Sequence, residues 1–240
     1  MILTTWNLQG SNAPTEVKWQ TGVANMLHNS PVPPDVICLQ EAGGVPESAM
    51  HRVNVPFADP FGNETRISIW DWEGTVRSSM RKPGNTIVYH HWDTGGNRVN
   101  TAVVTQGNLP HPADVRLVWG NAGPVWRPAV GVRVGGVWIF SFHAISPGGA
   151  DAPHVLGQVA ILAGGAPWRV GGDFNREPAT LGPAFLPANS VVCPPNGPTH
   201  PSVHPTKQLD YCVSDGNVVT TGMVDSSIFL SDHWSVKFRF

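Results

Sequence analysis

The sequence predicts an α/β (α+β) protein built on two packed β-sheets with few helices. Three observations carry this reading. Short runs rich in Val, Ile and aromatic residues recur along the chain, each bounded by Gly, Pro or Asn. Only two stretches show helical periodicity. The 26 Gly and 23 Pro of the 240 residues are spread without a linker, repeat or low-complexity tract. The length suffices for one large core, so residues 1–240 are read as a single domain.

The elements follow in order. Met1-Ile2-Leu3 opens a strand that runs into the polar cluster Thr5-Trp6-Asn7-Leu8-Gln9-Gly10. Trp19, Val23, Met26 and Leu27 then share one helical face, after Pro14-Thr15 and before Asn29-Ser30-Pro31, which predicts a helix over 15–28. Val36-Ile37-Cys38-Leu39 is a second apolar strand, closed by Gln40-Glu41. Strands are expected at Ile87 to Tyr89, Val99 to Val104, Ala129 to Val134, Val137 to Phe142, Trp168 to Val170 and Val236 to Phe240. Gly135-Gly136 joins two of them in a hairpin, because Gly supplies the positive φ angles of a two-residue turn. A second helix is predicted from Pro153 to Ala163, with Pro at a first helical position and Gly164-Gly165 as its stop.

Composition bounds the function. The formal net charge is -2 and charged residues make up 13%, so any nucleic-acid affinity must come from local positive charge. Arg66, Arg77, Arg81, Lys82 and Arg98 form one basic stretch, and Arg127, Arg133 and Arg176 lie near polar clusters; a plain solvated surface is the alternative. Trp6, Trp119, Trp138 and Trp168 belong in the core, whereas Trp70, Trp72, Trp92 and Trp126 serve packing or offer a stacking face to a base. The three Cys form no metal spacing. Cys38 is expected as a buried thiol, and Cys193 and Cys212 lie on runs able to pair, which leaves a disulfide between them open. The sequence shows neither a targeting segment nor a run of ~20 apolar residues, so a soluble chain is expected, with any secretory signal already removed.

The chemistry is concentrated in four polar clusters that each follow an apolar run. Gly172-Asp173-Phe174-Asn175 and Ser231-Asp232-His233 are the most informative, and Asn7 and Glu41 add an amide and a carboxylate. Hydrolysing a phosphodiester calls for a hard cation, a carboxylate to hold it, a group to activate water and donors for the developing charge. Asp, Asn, Glu and His supply all of these.

These clusters, with Gln40-Glu41-Ala42-Gly43, Asn97-Arg98-Val99-Asn100, Arg127-Pro128, His143-Ala144, Gly148-Gly149-Ala150-Asp151-Ala152 and Leu209-Asp210-Tyr211, resemble the catalytic B subunits of cytolethal distending toxins. That family is a branch of the deoxyribonuclease I-like endonuclease/exonuclease/phosphatase superfamily. The resemblance runs from about residue 4 to Phe240. It implies a four-layered sandwich, two mixed sheets face to face with helices outside, and a site at one edge. It also implies a nicking deoxyribonuclease that uses Mg2+, with Mn2+ or Ca2+ as substitutes. Glu41 would be the principal metal carboxylate, helped by Asn7 and Asp232. His233 would pair with Asp210, while Asp173 and Asn175 orient water and phosphate. His143 would donate across the scissile phosphate, and Arg98, Arg127 and Asn175 would contact it.

The family further implies DNA as partner, separate delivery subunits, secretion, and action in a target cell's nucleus. Its usual acid before an aromatic is missing from Ile67-Ser68-Ile69-Trp70, which leaves Glu64, Asp71 or Glu73 as candidates to orient His143. A phosphoinositide phosphatase and a catalytically silent binding homologue are the alternatives on this fold.

Overall fold

The computed structural model describes residues 1–10, 15–73, 84–92, 97–107, 110–120, 127–218 and 220–240. In chain order its strands are β1 (Ile2–Asn7), β2 (Val36–Gln40), β3 (Met50–Ala58), β4 (Glu64–Trp72), β5 (Asn85–His90), β6 (Thr101–Gln106), β7 (Val115–Val118), β8 (Ala129–Val134), β9 (Val137–His143), β10 (Trp168–Asp173), β11 (Val191–Cys193), β12 (Asp210–Ser214), β13 (Met223–Asp225) and β14 (Ser235–Arg239). They form an eight-stranded sheet, β13-β14-β1-β2-β6-β5-β4-β3, and a six-stranded sheet, β11-β12-β10-β9-β8-β7. Each sheet is mixed: β1 pairs with β2, and β9 with β10, in parallel, while their other pairings are antiparallel.

The two sheets pack face to face because alternate residues on both are apolar. Leu3, Val36, Cys38, Val88 and Val103 from the first sheet share one core with residues of the second. The alternate set, Trp6, Ile37, Leu39, Ile87 and Val104, turns outward onto Trp19, Val23 and Leu27. These last three lie on the predicted helix, which is continuous over three pieces, Thr15–Val17, Lys18–Val23 and Ala24–His28, the middle one π-helical. The second helix spans Ala152–Ala163 and ends on Gly164 at φ 57°. It buries Val155, Leu156 and Val159. The Gly135-Gly136 hairpin also forms, with φ of 57° and 83°.

Sequence reading missed the hairpin of β3 and β4. In β3, polar and charged residues and Pro56 hide the alternation of the half-buried Val53, Val55 and Phe57. The strand lies at the sheet edge, where a missing N–H costs no ladder bond. The short strands β7 and β13 were missed as well. Trp72, one candidate stacking face, is core at 1% exposure, while Trp126, Arg77, Arg81 and Lys82 lie outside the described residues. Among the described residues, no helix is long and apolar enough to cross a membrane.

β11 and β12 pair with Cys193 opposite Cys212, yet all three cysteines are free and buried, so the disulfide left open by the sequence is not formed. Thiol counting on denatured, unreduced protein is expected to find all three. Modification of the native protein should be slow, because burial pushes the Cys38 thiol up to about 12 and that of Cys212 well above its usual range. Fast native labelling at neutral pH would contradict this.

Candidate active site

Strand register brings the polar strand ends to one edge of the sandwich. Side chains alternate along a strand, so Asn7 and Gln40 point the same way as Leu3 and Cys38, toward the second sheet. In that sheet Asp173 is in register with His143 on β9 and with Asp210 on β12. Three ionisable groups therefore stand in a row on the inward face, and Asn7 reaches across from β1 to donate through Nδ2 to Asp173 Oδ2 at 3.0 Å. Beneath them, Gln40 Nε2 donates to Ser141 Oγ at 3.0 Å, and Ser141 Oγ donates to the Leu39 carbonyl at 2.8 Å. This buried polar bridge ties the sheets together below the site.

Loops supply the remaining groups. Ser231 Oγ donates to the Asn7 carbonyl at 2.6 Å and Trp6 Nε1 donates to the His233 carbonyl at 3.0 Å, so the C-terminal cluster is fastened to β1. His233 Nδ1 lies 2.8 Å from Asp210 Oδ2, which also accepts from Thr199 Oγ1 at 2.6 Å. The other ring nitrogen, Nε2, is 3.9 Å from Asp173 Oδ2. His143 Nε2 stands 3.7 Å from Asp173 Oδ2 and 3.8 Å from Glu41 Oε1, and Arg98 Nε is 3.8 Å from Glu41 Oε2. Asn175 bonds to Asp173 Oδ1 through its backbone N–H and to the Ala144 carbonyl through Nδ2, both at 2.9 Å.

The site stores backbone strain. Gln9, Glu41 and Asn175, each just past a strand end, have φ of 49°, 45° and 51°. That region is costly for residues with a Cβ and is held here by neighbours. Trp19 Nε1 donates to the Ala42 and Gly44 carbonyls at 3.1 and 3.0 Å, gripping the loop that follows Glu41. Gly10 donates its N–H to the Glu41 carbonyl at 2.7 Å, and a Cβ at this position would sit 2.2 Å from that oxygen. Only glycine permits this approach.

Burial and charge set the protonation states. Burial works against the His233 charge, but the carboxylates of Asp210, Asp173 and Asp232 outweigh it and raise its pKa to about 9. His143 is driven the other way, well below the usual imidazole range, by burial and by Arg127, His233 and Arg98. Burial and the nearby Asp210 hold the Asp173 pKa up. Glu41 is also raised by burial, against the pull of Arg98 and a hydrogen bond from Asn7. Arg127 feels the carboxylates of Asp151, Glu41 and Asp173, which offset the cost of its burial.

The structure thus brings Asn7, Glu41, His143, Asp173, Asn175, Asp210 and His233 together. Asp232, at 41% side-chain exposure, and Arg98, at 72%, form the rim. The expected acid beside His143 is not among the candidates. Asp71 is ion-paired with Arg52, Glu64 opens β4 opposite Ala58, and among the described residues no contact joins Glu73 to the ring. His143 Nδ1 is buried without a hydrogen-bond partner among the described residues. Sequence reading missed Thr199, a lone residue in a Pro-rich loop with no local signal. It also gave no role to Asp151, which accepts from the Ile145 N–H at 2.9 Å and so pins the loop after His143.

Comparison with known proteins agrees with this geometry. Residues 4–233 match the Endonuclease/Exonuclease/phosphatase family. The chain is 31% identical to the homolog of the cytolethal distending toxin B subunit from Salmonella typhi over 244 residues, covering 98% of this chain and 87% of that protein. It is 31% identical to the cytolethal distending toxin B subunit of Escherichia coli over 226 residues, covering 89% and 78%. Among solved structures, the cytolethal distending toxin of Actinobacillus actinomycetemcomitans superposes with a TM-score of 0.83 at 30% identity, covering 99% of this chain and 97% of that one.

Proposed function

The chain belongs to the Endonuclease/Exonuclease/phosphatase family, in the branch of the cytolethal distending toxin B subunits, and on that premise we propose that it is a Mg2+-dependent hydrolase that nicks DNA. The observation that carries the reading is the convergence of two histidines and three acids, His143, His233, Glu41, Asp173 and Asp210, with successive contacts of 2.8 to 3.9 Å at one sheet edge.

The residues fit a hard divalent cation. Glu41 Oε2 is buried with no hydrogen-bond partner among the described residues, a costly state that a cation relieves. Glu41 would hold the ion, with Asn7 and Asp232 beside it, and Mn2+ or Ca2+ could substitute. Asn7 Oδ1 already accepts from the Gln9 N–H at 2.9 Å, so its first service to the site is to orient Glu41 and Asp173. When bound, the ion supplies charge neutralisation at a phosphate oxygen.

The protein groups divide the remaining work. Asp173, its pKa raised toward neutrality, accepts a proton from the attacking water, whose oxygen forms the new bond to phosphorus as one P–O bond breaks. His233, as imidazolium, offsets the negative charge that builds on the phosphate. His143 stays neutral and donates a hydrogen bond to the phosphate through Nε2. Arg98 and Arg127 bind its oxygens, for which guanidinium geometry is suited.

A pH dependence follows. Turnover is expected to rise from acid pH as Asp173 loses its proton, and to fall as pH rises through about 9 and His233 loses its own. A rate unchanged between neutral pH and well above that value would remove the imidazolium role.

The direct test is conversion of supercoiled plasmid to nicked circles with Mg2+, stopped by a chelator and absent in His143→Ala. With few arginines at the site, nicking should be slow and its salt slope shallow, since log K falls by about 0.9 per phosphate neutralised against log salt. Intact plasmid with phosphate released from a phosphoinositide would turn the reading to lipid-headgroup hydrolysis; neither activity, with partner binding retained, would turn it to a silent homologue. The relatives are named as parts of toxins, which supports secretion, separate delivery subunits and a nuclear target as parts of the same proposal.

A further inference from the structure

Beside the hydrolytic cluster stands a histidine that the proposed chemistry does not use. The His200 ring lies 4.4 Å from that of His233, centroid to centroid, and its Nε2 is 3.9 Å from Asp232 Oδ2. His233 Nε2 approaches the other oxygen of the same carboxylate, Oδ1, also at 3.9 Å. One nitrogen from each imidazole and one oxygen from the carboxylate lie within 4.8 Å of one another. We propose that His200, Asp232 and His233 form a regulatory site for a transition-metal ion, Zn2+ in preference to Mg2+, whose occupation blocks hydrolysis.

Three features support the site. The first is size: ligands about 2.1 Å from a tetrahedral ion are roughly 3.4 Å apart, so a closure of about half an ångström on each side of Asp232 is enough. His200 and Asp232 can supply it, being 28% and 41% exposed at their side chains. The second is preorganisation. Asp210 Oδ2 holds His233 Nδ1 at 2.8 Å and is itself held by Thr199, the carboxylate–histidine arrangement that orients a metal-binding imidazole. The His200 backbone is pinned on both sides, donating to the Lys207 carbonyl at 3.1 Å and accepting from the Lys207 N–H at 2.9 Å. The third is donor type: two imidazoles and one carboxylate suit Zn2+, whereas Mg2+ prefers the oxygens of Glu41 and Asp232.

The inhibitory effect follows from the shared atom. A Zn2+ ion on His233 Nε2 occupies the nitrogen that faces Asp173, and takes Asp232 from the rim. This half of the proposal rests on the hydrolytic reading; the binding half does not.

The test separates them. Zn2+ affinity of the full chain is measured by competition with a chromophoric chelator in excess Mg2+, for wild type and His200→Phe, which keeps a ring against His233 but removes its nitrogens. Wild type should bind one Zn2+ that excess Mg2+ does not displace, and the variant should bind it at least about tenfold more weakly while melting cooperatively. Equal affinity in the two proteins, no binding by wild type, or displacement by Mg2+ would each overturn the site. In the plasmid assay, His200→Phe should nick near the wild-type rate yet need at least about tenfold more Zn2+ for inhibition. Equal inhibition would refute the regulatory role. If the chain nicks no DNA at all, the chelator titration still decides whether the ion site exists.

Discussion

Asp210→Asn should leave the fold intact and lower DNA nicking by ~10²- to 10⁴-fold, the range by which a positioned acid–base group acts. Asp210 is fully buried, and one of its oxygens serves both His233 Nδ1 and Thr199 Oγ1. An amide there keeps the volume but removes the charge that outweighs burial at His233. The imidazole pKa then falls from about 9, and at neutral pH the ring loses its charge. If the Asn NH2 turns toward the ring, the tautomer is inverted as well. The alkaline limb of the pH profile should move to lower pH in the variant. Acidification should not restore the rate, because Asp173 becomes protonated over the same span. A near-normal rate in a cooperatively melting variant would detach Asp210 from catalysis.

Glu41→Gln should reduce Mg2+-dependent nicking by ~10³-fold or more, because the cation contributes several kcal/mol and each 1.36 kcal/mol is tenfold in rate. The same substitution should raise the stability of the metal-free protein. Glu41 has its folded-state pKa raised by burial, so the folded chain binds a proton more tightly there than the unfolded chain does. Stability from this group is present at acid pH and is lost as pH rises through the folded value. Gln carries no charge and should remove that slope. Thermal melts with and without Mg2+ read both effects: the ion should raise the wild-type midpoint and leave that of the variant nearly unchanged. A variant that is less stable than wild type without metal, at neutral pH, would show that Glu41 is there to hold the fold.

Much of this architecture is legible in the sequence because it is encoded locally. The apolar runs of β1, β2, β9 and β10 announce themselves by residue type, and Gly135-Gly136 announces its hairpin. Each site cluster sits where such a run ends, so the fold class and most of the site residues could be named before any distance was known. The resemblance of motifs such as Gln40-Glu41-Ala42-Gly43 did the rest for chemistry. What failed lacked a local signature. The strand β3 is an edge strand with one half-buried face, and its Pro56 argues against a strand unless its edge position is known. Thr199 reads as an ordinary loop residue until its hydroxyl is found on Asp210.

The sequence by itself determined which side chains are present, which strand ends they follow, and hence that phosphoester hydrolysis is the chemistry on offer. Tertiary structure decided how they divide the labour. His143 and His233 are the same residue type, and nothing in their neighbours along the chain tells which one holds a proton at neutral pH. Asp210, Asp173 and Asp232 surround His233, while Arg127 and Arg98 stand near His143, and this difference arises only when β9, β10 and β12 come into register and the C-terminal loop is fastened to β1. Protonation depends on burial and on charges a few ångströms away in space, which separations of up to 226 residues in sequence, as between Asn7 and His233, do not encode.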